Sequence, residues 1–192
     1  MTKIKLILAS SSPQRKKLLE TIGISPDEIV PANIDETPLK REKPKDFAIR
    51  MAREKAFSVA KENLNNFILS GDTIVATGQR IIGKPSSKNE AKQFLKLLSG
   101  RRHRVLSAFT LIKPDYSEIT KVVVSRVKFS RLSDKELNEY LDTNEWQGKA
   151  GGYAIQGRAS AFVPWISGSY TGVMGFPMNE IKNSLISSGW KK

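Results

Sequence analysis

Cysteine is absent from this 192-residue chain, and histidine occurs once, at His103. The first absence removes a disulfide framework, thiolate catalysis and any cysteine-ligated zinc. The second removes a multi-histidine metal centre and leaves acid–base chemistry to carboxylates, lysines or metal-activated water. No apolar run approaches the roughly 18 residues that a membrane span needs. The first apolar run, Ile4 to Ala9, is short and carries Lys5, so no secretory leader is expected and the cytoplasm is the expected compartment. Acidic residues are also scarce: 19 Asp and Glu stand against 32 Lys and Arg, a formal net charge of +13. Such a field favours anionic partners, whether nucleotides, nucleic acid or acidic membranes. The basic residues are spread along the chain rather than gathered in an arm, which argues against a dedicated nucleic-acid tail.

What is present reads as one α/β domain over residues 1–192. Ile4 to Ala9 is a buried strand, and Pro13 to Ile22 a helix with a serine N-cap, closed by Gly23. A proline-rich and acidic loop follows, with at most a short strand at Ile29-Val30. Apolar residues at helical spacing predict a helix from Pro44 to Asn63. Phe67–Ala76 and Arg80–Gly83 form a hairpin, Lys88–Ser99 a helix, and Arg102–Lys113 with Thr120–Arg131 a pair of strands. Ser133 and Glu136 make a capping box for a helix reaching Asp142. Ala159–Ile166 reads as a strand between two glycine-rich loops, Gly148–Arg158 and Gly168–Pro177, and Asn179–Ser188 as the last helix. Helices and strands alternate, and the paired strands favour a mixed sheet over a parallel one.

Several polar residues sit where their surroundings do not explain them. The first strand ends in Ser10-Ser11-Ser12 and runs at once into Pro13-Gln14-Arg15-Lys16-Lys17. A helix N-terminus with hydroxyls and cations beside it suits a phosphate, although an ordinary turn with a solvated basic face reads equally well. Asp72 interrupts an apolar strand, where a carboxylate is costly unless paired, hydrogen-bonded or bound to metal; a Gly-Asp turn is the plainer reading. Lys84 is held between Gly83 and Pro85, and Lys55 has apolar neighbours on its helix; each is either a solvated lysine or a phosphate-binding cation. Glu36, in Asp35-Glu36-Thr37-Pro38, is a loop residue or a second carboxylate for a divalent cation. Gln156, bracketed by glycines, offers both a donor and an acceptor to a base edge. His103 reads as a surface residue.

In order along the chain, these stretches resemble the Maf family of nucleoside triphosphate pyrophosphatases, closest to its dTTP/UTP branch. The resemblance runs through Leu8 to Leu19, Asp35-Glu36-Thr37-Pro38, Ala52 to Ala56, Gly71 to Val75, Gly83-Lys84-Pro85, Leu98 to Arg101, Gly151 to Gly157 and Gly168 to Pro177. It implies a mixed, twisted sheet with flanking helices, with two lobes around a cleft, as in the inosine triphosphate pyrophosphatases. It implies hydrolysis of a nucleoside triphosphate to monophosphate and pyrophosphate with a divalent cation, Mg2+ or Mn2+. Carried over by position, Asp72 is the catalytic residue and, with Glu36, the metal-associated pair; Ser10, Arg15, Lys55 and Lys84 bind the triphosphate. Gln14, Thr73 and Gln156 hold the specificity positions. Thr73 and Gln156 match the dTTP/UTP branch, whereas Gln14 stands where that branch carries arginine. A homodimer is implied as well. Two other readings stay open at this stage: a non-catalytic nucleotide- or nucleic-acid-binding regulator of cell division, and a relaxed pyrophosphatase for deaminated purines.

Overall fold

A computed structural model describes residues 4–191. Its chain order is β1 (Leu6–Ala9), α1 (Pro13–Thr21), β2 (Glu28–Ile29), α2 (Pro44–Ala60), β3 (Phe67–Thr77), β4 (Arg80–Ile82), α3 (Lys88–Leu98), β5 (Arg102–Ile112), β6 (Glu118–Lys128), α4 (Asp134–Asp142), β7 (Trp165–Ser167), α5 (Tyr170–Met174) and α6 (Met178–Ser187). Short 3-10 turns occupy Ala150–Gly152 and Arg158–Phe162. The seven strands form one mixed sheet in the order β2-β1-β3-β5-β6-β7, with β4 folded back on β3. β1 runs parallel to β2 and β3; every other pairing is antiparallel.

The long strands β3, β5 and β6 tie two packed regions together. Period-two alternation sends Ile68, Ile74 and Ala76 toward α2, where they meet Phe47, Met51, Ala52 and Ala56. The other face carries Phe67 and Leu69 against α1 and α6 at one end, and Val75, Val105 and Val127 against α3, α4 and the 3-10 turns at the other. Between these two cores the sheet is notched. β1 pairs with β3 only as far as Ser70, and β4 pairs with β3 only from Val75. Gly71, Asp72, Thr73 and Ile74 therefore have a strand neighbour on one side only, β5.

The local signals hold closely for the helices: α3 and α4 carry side-chain N-caps from Ser87 and Ser133, the latter in a full capping box. Four expectations are corrected. Residues 159–166 are a 3-10 turn and then a three-residue strand, because Ala159 and Phe162 share one buried side at turn spacing and Pro164 offers no N–H for a ladder. The second glycine-rich loop contains α5. Ser12 is the N-cap of α1 but makes no side-chain cap bond. His103 is buried, 3% exposed, because it shares its β5 face with Val105, under Phe129 and Tyr153. Its Nε2 is 2.7 Å from the Tyr153 hydroxyl, and its Nδ1 is a buried atom without a protein partner. Burial pushes the imidazole pKa down to about 4.

Candidate active site

The notch in β3 collects the polar residues that the sequence leaves unexplained. Strand alternation places Asp72 and Thr73 on opposite faces of the sheet. On the α2 face, Lys55 donates to Asp72 Oδ1 at 2.7 Å and lies 2.8 Å from Glu36 Oε1. The Lys55 and Asp72 side chains are 9% and 11% exposed, and Glu36 reaches them from the Pro31–Lys43 loop. Burial acts to raise the Glu36 pKa; the hydrogen bond and charge of Lys55, with the charges of Lys84 and Arg15, outweigh it and hold the carboxyl below its usual value. Glu36 is thus kept as an anion, and the Lys55 nitrogen bridges it to Asp72.

The loop that delivers Glu36 is folded around Arg50 of α2. Arg50 makes two bonds to the Glu42 carboxylate, at 2.7 and 2.8 Å, and donates to the Thr37 carbonyl at 3.1 Å. Glu42 also accepts the Leu39 N–H. One guanidinium therefore fixes the backbone on the C-terminal side of Glu36.

On the other face the hub is the carbonyl of Gly175. It accepts from Arg15 Nε at 3.1 Å and from Thr73 Oγ1 at 3.0 Å. Gly175 has φ of 139°, a conformation that favours glycine. Arg15 also donates to Ser10 Oγ at 3.0 Å, and its guanidinium lies over the Phe176 ring at 5.2 Å. Gly71 leaves room for that ring: a Cβ there would collide with Phe176 Cε1 and sit 2.9 Å from the Ala108 carbonyl oxygen. Burial draws the Arg15 pKa down against the opposing pull of Asp72 and Glu36, and the side chain remains a cation.

Two cavities open on either side of the notch. The larger, about 390 Å³, is lined by the N-terminal turn of α1 (Ser11 to Arg15), by Thr73 and Val75, and by Gln147 to Ala150 and Tyr153 to Gln156. The smaller, about 280 Å³, is lined by Glu36, Asp72, Ile74, Phe47 and Ile82. Thr73, Lys84 and Ala150 line both, so the two meet at the free edge of β3. Lys84 is exposed and set just after β4, where the Gly83 carbonyl accepts the Gly151 N–H. Across the larger cavity, Gln156 Nε2 donates to Gln14 Oε1 at 3.1 Å.

The structure thus brings together Gln14, Arg15, Glu36, Lys55, Asp72, Thr73, Lys84 and Gln156. Ser10 is 7% exposed and lines neither cavity, and its hydroxyl accepts from Arg15 and the Ser12 N–H. Lys55 commits its ammonium to two carboxylates, Glu36 and Asp72. Lys16 and Lys17 are exposed, as a solvated helix face requires. Sequence reasoning missed Lys149, which lines the larger cavity beside Gly148, and missed the Gly175 carbonyl and Arg50. Gly148 before Lys149 and Gly151-Gly152 just after it were the available signal for the first; carbonyl orientation leaves none.

A divalent cation fits this donor set in part. Asp72 and Glu36 each use one oxygen on Lys55, and among the described residues neither carboxylate has another ion-pair partner. Magnesium takes one or two carboxylates with water and substrate phosphate completing its shell. Among the described residues there is no group of three or more His, Cys, Asp or Glu that would hold a metal by itself, so phosphate oxygens would have to complete the site.

Comparison with known proteins gives a consistent picture. A family model described as Maf-like protein matches residues 5–187. A dTTP/UTP pyrophosphatase of Ruegeria sp. (strain TM1040) is 51% identical over 96% of this chain and 94% of its own length. Proteins of the same description from Cereibacter sphaeroides and Rhodospirillum rubrum are each 50% identical, over 96% and 97% of this chain and 95% and 89% of theirs. The structure of a HAM1 protein from Coxiella burnetii superposes with a TM-score of 0.53 over 96% of this chain and all of that one, at 14% identity, a likeness of fold.

Proposed function

The chain belongs to the Maf-like family, and from that premise we propose that it is a nucleoside triphosphate pyrophosphatase acting on dTTP and UTP. The observation that carries this reading is the notch in β3. It joins a base-sized cavity on the Thr73 face to an ion-paired carboxylate corner on the Asp72 face, with Lys84 at the junction.

The base lies in the larger cavity, between the Gln14–Gln156 amide pair and Thr73. As bonded, that pair keeps the Gln14 amide N–H and the Gln156 carbonyl oxygen for the ligand. A donor beside an acceptor matches the carbonyl and N3–H of a uracil or thymine ring. The triphosphate passes the free edge of β3, met by Lys84, Arg15 and the N–H groups that open α1. Substrate charge is thereby concentrated next to Asp72.

Water attacks the α-phosphorus, pyrophosphate leaves, and negative charge grows on the phosphate oxygens. Fixed cations aimed at that charge stabilise the transition state. Asp72 orients the attacking water and accepts its proton. Lys55 holds Asp72 in place and keeps Glu36 ionised. Asp72 and Glu36 would hold a divalent cation, which when bound supplies Lewis-acid stabilisation of phosphate charge.

A panel of canonical and modified nucleoside triphosphates, with and without magnesium, tests the reading. Release of pyrophosphate and monophosphate, greatest with dTTP and UTP, is expected. Orthophosphate with diphosphate would point to a different reaction.

A further inference from the structure

The candidate active site uses none of the cations at the far end of β5 and β6. There, on the α2 face of the sheet, Arg102 stands directly opposite Lys128, and Arg104 directly opposite Arg126. Like charges in directly opposed positions on neighbouring strands destabilise the sheet. Among the described residues, no carboxylate lies within ion-pair distance of any of the four. Arg102, Arg126 and Lys128 are exposed, and Arg104 is partly buried, its guanidinium held by the Gly78 carbonyl. Helix α2 covers Leu106 and Ala108 on this face and leaves the cations open.

The row continues onto the edge strand. Trp165 of β7 stands opposite Lys128, so its indole lies on the same face. It is 39% exposed, and the Arg102 guanidinium sits over the ring at 4.8 Å. Val124, two residues before Arg126, is also exposed here, at 42%. Same-face residues along a strand are about 6.8 Å apart and opposed residues about 5 Å. The four cations therefore form one compact block with an aromatic platform at its rim. Asp72 lies on the same face of the sheet, but Ala76, the β3 residue opposite Arg104, is four residues from it, about 13 Å.

Cations that track phosphates beside an aromatic ring that stacks a base are what a single-stranded polynucleotide needs. A duplex offers no unstacked base to the indole. A membrane surface is met by an amphipathic helix or a broad apolar face, and this flat strand face offers only Trp165 and Val124. We propose that the face built by Arg102, Arg104, Arg126, Lys128 and Trp165 binds single-stranded nucleic acid. This surface is separate from the nucleotide cleft and does not depend on its chemistry.

The test is fluorescence anisotropy with labelled, 5′-hydroxyl oligothymidylate and oligouridylate, titrated at several salt concentrations. Arg102→Gln/Arg126→Gln/Lys128→Gln should weaken binding more than tenfold and reduce the log–log salt slope by about 2, or roughly 0.7 for each cation removed. Trp165→Ala should weaken binding about tenfold with the slope unchanged, because stacking releases no counterion. dTTP turnover should stay at its native rate in both variants. The proposal is overturned if the native protein fails to bind either oligonucleotide at low salt, or if the triple variant binds as the native does. It is also overturned if duplex binds equally well with no effect of Trp165→Ala, or if only phosphatidylglycerol vesicles respond to the substitutions.

Discussion

Lys55 donates to Asp72 across 2.7 Å from a helix to the middle of a strand, with both side chains about nine-tenths buried. A buried ion pair is weak as a source of stability, because desolvation offsets most of the attraction. Its value here is positional: it holds one oxygen of Asp72 on the ammonium at the wall of the smaller cavity.

Asp72→Asn keeps the shape and a hydrogen bond to Lys55 but removes the proton acceptor. Turnover of dTTP should fall by about 10²- to 10⁴-fold, the usual contribution of a positioned base. Far-UV circular dichroism should be unchanged and nucleotide binding largely retained. Pyrophosphate release measured under saturating substrate is the check, and native-like turnover would remove Asp72 from its assigned role.

Arg50 is expected to act through Glu36. It grips Glu42 and the Thr37 carbonyl, so Arg50→Ala frees the loop that carries Glu36 to Lys55. Misplacement of this kind costs about ten- to a hundredfold in kcat/KM. A double-mutant cycle isolates the coupling. Arg50→Ala should add nothing further in a Glu36→Gln background, and an additive loss would mean that Arg50 acts elsewhere. Arg50→Lys should restore little, since an ammonium cannot make the paired bonds to Glu42.

Gln14→Glu tests the amide pair. The carboxylate still accepts from Gln156 but no longer donates, and it sets a negative charge against a base carbonyl. KM for dTTP should rise about tenfold, equivalent to about 1.4 kcal/mol, with kcat little changed. Steady-state kinetics that show a fall in kcat alone would move Gln14 out of base recognition.

His103 predicts a stability change with pH. Its folded pKa lies near 4, below the ordinary 6.5, because burial disfavours the cation. Between those values the unfolded chain binds a proton that the folded chain does not. Stability is therefore complete above about pH 6.5 and declines as the pH falls toward 4, by about 3 kcal/mol. Urea denaturation across that range should show the slope. His103→Leu with Tyr153→Phe removes both polar partners together and should flatten it.

The candidate site was legible residue by residue wherever an amino acid contradicted its local pattern. Asp72 inside an apolar strand and Lys84 between glycine and proline belong to this class. Ser10 was legible as polar, but its contact with Arg15 was not, because that contact is set by the turn into α1. His103 was misplaced because its polarity was weighed above the period-two alternation of β5, which sets it on the Val105 face between Arg102 and Arg104.

Sequence alone determined most element types up to α4, the capping box at Ser133 and the exclusion of cysteine chemistry, since propensity, capping and composition act over a few residues. It also carried the family resemblance through the order of its motifs. Only tertiary structure decided that β1 and β4 leave β3 uncovered from Gly71 to Ile74 and that Asp72 and Thr73 therefore face two joined cavities. Strand register, the Gly175 carbonyl and the Lys55 ion pairs depend on contacts between residues far apart in sequence. Those contacts are selected by how the two cores pack against one shared sheet.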